Sequence, residues 1–152
     1  MDNATLKDRI LGMVPGAEFQ ETKQFLTFVI PAGQMHDLAL RLKNDADLAF
    51  DYLFCLSGVD YVKYLEVVYH LESTAHKHQL VLKVRTEDRE NGAVDTVCDI
   101  WRTAELHERE VYDLLGVKFN HHPDLRRFFL EEGWKGHPLR KDYVDEVNIV
   151  EL

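Results

Sequence analysis

Cysteine is scarce in this chain. The 152 residues contain two, Cys55 and Cys98, 43 positions apart. There is no Cys-x-x-Cys pair and no Cys/His spacing suited to zinc, and two thiolates fall short of the usual complement of an iron–sulfur cluster. Both cysteines have apolar neighbours and read as small buried hydrophobes in a reducing compartment. Long hydrophobic runs are missing as well: none approaches the roughly 18 apolar residues of a membrane span. The opening residues, MDNATLKDRIL, have no apolar signal-peptide core. A cytoplasmic protein is therefore expected, which leaves room for docking onto a membrane complex. Positive charge is in deficit, with 18 basic residues against 27 acidic, which argues against nucleic acid as a partner. There is no glycine-rich phosphate loop and no repeat of solenoid length, and Ser57-Gly58 lacks a nucleophile-elbow motif. No βαβ crossover of the parallel type is expected.

What is present reads as an α+β domain over residues 1–116 followed by a long irregular C-terminal arm, 117–152. Leu6, Ile10 and Met13 share one face of a helix over 3–13, with Asn3 as its cap and Pro15-Gly16 as its stop. Residues 19–30 read as a hairpin turning at 21–24, and Pro31 ends it. A second helix over 33–43 buries Met35, Leu38, Ala39 and Leu42, with Asn44 as a left-handed stop and His36 at its boundary. Three strands follow in an antiparallel meander: 50–59, 65–71 and 78–85. The first is almost continuously apolar, as a central strand covered on both faces would be. The segment 87–93, EDRENGA, reads as a solvated loop.

The strongest helix spans 95–115, with Thr96 and Asp99 as a capping pair and Gly116 as a left-handed stop. Its apolar stripe holds Val97, Ile100, Trp101, Ala104, Val111, Leu114 and Leu115. Glu108 falls inside that stripe, Arg109 points away and Glu110 sits at the edge. An ionised carboxylate there must pair, protonate, or reach solvent near the helix end. The following segment offers Arg126, Arg127 and Arg140, and a bidentate pair with one of them would fasten the arm to the domain.

That arm is a basic island in an acidic protein. Residues 121–141 carry five basic and three acidic groups, net +2, whereas the last 11 residues carry four acidic and none basic. It contains an internal echo, His122-Pro123-Asp124-Leu125-Arg126-Arg127 and then His137-Pro138-Leu139-Arg140-Lys141, before Asp142. Each proline forbids helix before it, and each copy offers a leucine to bury and two cations to pair. Phe128, Phe129, Leu130 and Trp134 lie between. Aromatic and arginine content of this kind is typical of interface cores. Two readings stand: an arm that folds fully only on another protein of a complex, or a strap that wraps its own domain. A third chemistry, a free-standing metal enzyme using His121, His122, His137 and Glu108, is opposed by the lack of helical ligand spacing.

The run Glu108-Arg109-Glu110-Val111-Tyr112-Asp113-Leu114-Leu115-Gly116-Val117-Lys118-Phe119, with His122-Pro123-Asp124-Leu125-Arg126-Arg127 and Gly136-His137-Pro138-Leu139-Arg140-Lys141-Asp142, closely resembles the C-type subunit family of proton-pumping NADH-quinone oxidoreductase, respiratory complex I. Gly58-Val59-Asp60-Tyr61 and Val67-Val68-Tyr69-His70-Leu71 are similar to that family's sheet, so the resemblance covers roughly residues 50–142. One departure is Glu105-Leu106-His107, where many members carry Asn-Trp. The resemblance implies a peripheral-arm subunit with no cofactor or catalytic residue of its own, FMN and the iron–sulfur clusters lying in partner subunits. The translocase passes electrons from NADH to quinone. The expected partners are the large D-type subunit, which bears the quinone site, and neighbouring iron–sulfur subunits, on the cytoplasmic side of the plasma membrane. Glu108, Arg109, Glu110, His122, Pro123, Asp124, Arg126, Arg127, Trp134, His137, Pro138, Arg140, Lys141 and Asp142 would then serve docking and structure. The chain's end soon after Asp142 suggests that no quinone-site partner is fused to it. Membrane-bound hydrogenases use a related subunit, which keeps a non-NADH oxidoreductase as an alternative.

Overall fold

The structure, a computed structural model, describes residues 2–144. Its centre is a sheet in which β4 (Leu65–Ser73) and β5 (His78–Thr86) form the interior pair. The order is β1 (Glu18–Gln20), β2 (Thr27–Val29), β5, β4, β3 (Tyr52–Asp60). The expected meander is present, since β3–β4 and β4–β5 pair antiparallel along their length. Three helices pack on it: α1 (Asn3–Met13), α2 (Met35–Asn44) and α3 (Ala104–Leu115). The result is the expected α+β fold with a mostly antiparallel sheet.

Several expectations need correction. The cap of α1 is Asp2, whose carboxylate accepts the Thr5 N–H at 2.8 Å, so capping falls one residue before the proposed Asn3. Asn44 is the last residue of α2 and the chain leaves through an extended Asp45, so no left-handed stop is used there. β3 is an edge strand and not the centre. Its apolar run has two causes: Leu53 and Leu56 face the core, while Phe54 joins Phe25 and His70 in an aromatic cluster on the other face.

Parallel pairing also occurs. β2 pairs parallel with β5, and β6 (Ala93–Asp95) pairs parallel with β7 (Lys118–Asn120) with α3 as the crossover between them. Strands of three residues are too short to show a period of two, which hid this unit within an apparent loop and the start of the tail.

The long helix expected over 95–115 is shorter, because the chain passes through turns at 98–100 and 102–103 before α3 begins. Val97, Ile100 and Trp101 are buried all the same, and the Trp101 indole donates to the Phe50 carbonyl at 2.9 Å. α3 lies close on β3 at Gly58, where a Cβ would stand 2.6 Å from Leu115 and 2.9 Å from Val111. Val117 and Phe119 belong to the same core, so the chain beyond Gly116 begins as part of the domain.

Candidate docking site

The C-terminal end of α3 and the segment laid across it hold a dense polar network. A helix ends with carbonyls that have no partner within it. Gly116 closes α3 in a left-handed conformation (φ 86°), and its N–H donates to the Tyr112 carbonyl at 2.9 Å. The three later carbonyls are all taken by the tail. Asp113 O accepts from His137 Nδ1 at 3.0 Å and from Arg127 at 3.1 Å. Leu114 O accepts the Leu139 N–H at 2.8 Å, and Leu115 O accepts from Arg140 Nε at 2.7 Å. Two guanidiniums therefore sit at the negative end of the helix dipole. The second echo, His137 to Arg140, is a cap for α3.

Asp113 is the anchor that the sequence pattern did not reveal. Its side chain is fully buried. Oδ1 accepts from Arg127 Nη1 at 3.0 Å, while Oδ2 accepts the N–H groups of Phe128, Phe129 and Leu130 at 3.2, 2.7 and 3.0 Å. Burial pushes this carboxyl up, but the three N–H groups and the guanidinium outweigh it and hold the pKa below the usual value. A signal was available: an aspartate in the last turn of a helix is repelled by the dipole unless cations answer it. Arg127 extends the network by donating to the Trp134 and Gly136 carbonyls at 3.0 and 2.9 Å.

Glu108 behaves differently from the expectation. Among the described residues no arginine reaches it. The Thr96 hydroxyl donates to Oε1 and the Val97 N–H to Oε2 at 3.1 Å, so the turn before α3 replaces the expected cation. Burial pushes the Glu108 carboxyl up to about 7 against the opposing pull of those two donors. His122 Nε2 stands 4.0 Å away with its side chain fully buried. That ring is held by backbone on both sides: Nδ1 accepts the Asp124 N–H at 3.0 Å, which leaves Nε2 to donate to the Glu105 carbonyl at 2.9 Å.

Arg109 does not point away into solvent. It is 8% exposed and donates to the Arg126 and Arg127 carbonyls at 3.2 and 3.1 Å. Arg126 itself is exposed and pairs locally with Asp124. Arg140 also donates to the Arg89 carbonyl. Arg89 in turn forks onto Asp60, at 2.5 and 2.7 Å, and stands 3.6 Å from Asp142. Asp60 further accepts the N–H groups of Val62 and Lys141 at 2.7 and 2.9 Å. Hence the supposed solvated loop around residue 89 is fastened to the end of β3 and to the strap. Glu110, Trp134 and Pro138 are partly buried. Pro123 and His121 border an open cavity of about 610 Å³ together with His36, Asp99 and Glu105. The acidic stretch 145–152 lies outside the described residues.

The four-residue metal constellation is not assembled. Among the described residues, the one group with three or more ligand atoms within 4.8 Å is Cys98, Glu108 and His122, which neither His121 nor His137 joins. In that group both His122 nitrogens are already engaged by backbone.

Sheet, helices and strap define an α+β domain whose most constructed feature is a segment clamped over one helix end with aromatic side chains left outside. Residues 28–147 match the family described as respiratory-chain NADH dehydrogenase, 30 Kd subunit, and the chain belongs to that family. It is 41% identical over 141 residues to the C-type subunit of NADH-quinone oxidoreductase from Chlorobium phaeobacteroides, covering 91% of this chain and 84% of the relative. It is 45% identical over 120 residues to the C/D-type subunit of the same enzyme from Phocaeicola vulgatus, covering 78% of this chain and 23% of the relative. Thus the chain spans most of one relative and about a quarter of another, whose name joins the C and D types in one polypeptide. A chain in the structure of the membrane-bound sulfane sulfur reductase, an archaeal respiratory membrane complex, superposes with a TM-score of 0.77 at 28% identity, covering 95% of this chain and 86% of that one. No helix among the described residues is long and apolar enough to cross a membrane.

Proposed function

We infer that this chain is a non-redox structural subunit in the peripheral arm of a proton-translocating NADH:quinone oxidoreductase. It docks onto the quinone-site (D-type) partner and neighbouring iron–sulfur subunits on the cytoplasmic side, and carries no cofactor or catalytic residue of its own. Electron transfer from NADH through FMN and the clusters to quinone belongs to its partners. The observation that carries the reading is the clamped strap. Buried Asp113 and the partly buried Arg127 fix residues 127–136, yet Phe128 and Phe129 of that same segment remain outside the domain's core. Such a construction serves contact with another surface. The relatives named as C/D proteins support the quinone-site partner as the neighbour. In this reading the residues singled out from the sequence divide by contact. Arg109, Arg127, His137, Arg140 and the Lys141 backbone hold the strap, Glu108 and His122 hold its start, and the exposed remainder meets partners.

A second reading has one observation in its favour. A chain of a sulfane sulfur reductase complex superposes here, which supports reading this chain as a subunit of a related membrane oxidoreductase other than the NADH enzyme. Purification of the tagged chain from native membranes separates the two. NADH-oxidising flavoprotein subunits in the same complex support the first reading, and a nickel-containing or sulfur-reducing catalytic subunit supports the second. Stoichiometric metal with turnover in the isolated chain would overturn both.

A further inference from the structure

Asp113 holds three successive backbone N–H groups, those of Phe128, Phe129 and Leu130, on one buried carboxylate oxygen. This fixes the backbone of a surface loop with the means proteins usually reserve for a core. The side chains gain little from it within this domain. Phe128 and Phe129 are 44% and 61% exposed and pack against each other edge to face, with ring centroids 4.6 Å apart. The Arg109 guanidinium stands over the Phe128 ring, 5.3 Å from its centre, within cation–π range. Close by in sequence, the Trp134 indole N–H is buried without a hydrogen-bond partner among the described residues, although most buried indole N–H groups find one.

The cost of binding through aromatic side chains is the order they must acquire. Here the order is built beforehand. A rigid pair of exposed aromatic rings on a loop whose backbone donors are already satisfied is a preformed anchor for an apolar pocket. The occupant follows from the relatives named as C/D proteins, in which this chain's counterpart makes up about a quarter of the polypeptide.

We propose that Phe128 and Phe129, presented by Asp113 and Arg109, form the anchor by which this chain enters an apolar pocket of the quinone-site partner. The proposal rests on membership of the complex argued above and specifies the surface used.

The test uses the full chain in its assembled complex. A photo-reactive phenylalanine analogue (p-benzoylphenylalanine) is placed at position 129, and Phe128→Asp with Phe129→Asp is made separately. Irradiation should cross-link position 129 to the quinone-site partner. The double variant should keep the wild-type unfolding midpoint while the amount of that partner recovered with it falls at least about tenfold. A cross-link to any other protein of the complex, or undiminished recovery of the quinone-site partner by the double variant, overturns the proposal. If the wild-type chain itself recovers no such partner, the underlying reading fails and this proposal with it. The cross-link decides the matter even if the double variant folds poorly.

Discussion

Asp113 and Arg127 meet at 3.0 Å beneath the strap, with the aspartate fully buried and the arginine side chain 12% exposed. Each partner also serves backbone: the carboxylate takes three N–H groups, and the guanidinium donates to three carbonyls, those of Asp113, Trp134 and Gly136. One pair therefore sets the path of the chain from residue 127 to residue 136.

Truncating Arg127 leaves a buried carboxylate without its cation. Arg127→Ala should lower stability by roughly 3 kcal/mol, within the range for breaking a buried pair and moderated by the N–H groups that remain. Arg126→Ala removes only an exposed local pair with Asp124 and should leave the denaturation midpoint unchanged. Denaturant melts of the two variants side by side check this contrast. Equal losses would mean that the strap does not depend on the buried pair.

Glu108 should make stability depend on pH in an unusual direction. Its carboxyl is raised from 4.5 in an unfolded chain to about 7 in the folded one. The folded state then binds the proton more tightly. The associated stability is fully present below about 4.5 and is lost as pH rises through 7, amounting to about 3 kcal/mol. Glu108→Gln cannot ionise. The difference between wild type and this variant in unfolding free energy, measured at pH 5 and pH 8, should move against wild type at the higher pH. A constant difference would contradict the assignment.

Asp60 titrates in the opposite sense. The Arg89 guanidinium holds its carboxyl far below the usual range, helped by the Lys141 and Val62 N–H groups. Its contribution is present above the unfolded value of 3.8 and lost as pH falls below it. Because Lys141 is one of its partners, Arg89→Ala should also loosen the strap. Limited proteolysis should cut near residues 139–143 faster in this variant, while residues 2–116 stay resistant.

Gly116 is required twice. Its φ of 86° disfavours any other residue, and a Cβ there would stand 2.7 Å from both Arg140 and His137. Gly116→Ala should therefore cost more than the roughly 1 kcal/mol of a left-handed alanine, because it also displaces the side chains that cap α3. Thermal unfolding of Gly116→Ala against Gly58→Ala would show whether the strap or the β3–α3 contact is the less tolerant.

The sheet and helices were legible because their periods are long enough to read. The antiparallel meander and the stripe of α2 reappear, although β4 is buried on both faces over its first five residues. The family, too, was legible from the motifs of 108–142. What failed depended on partners distant in sequence. Glu108 was assigned a cation because arginines follow it, whereas Thr96 and Val97, 12 and 11 positions earlier, supply the donors. Asp113 went unnoticed because it lies outside the apolar stripe, and only the strap folding back over it makes it buried. β6 and β7 are set by pairing with each other, which no local pattern encodes. Arg109 was placed away from the apolar stripe, and the helical projection included nothing to show that the strap covers that face.

The order of the strap before any partner binds is the central claim. Hydrogen–deuterium exchange of the isolated full chain measures it at the amides of Phe128, Phe129 and Leu130, each of which donates to Asp113. All three should be protected at neutral pH and should lose protection together in Asp113→Ala. Exchange at the rate of an unstructured peptide in the wild-type chain would contradict the claim, leaving an arm that orders only on its partner.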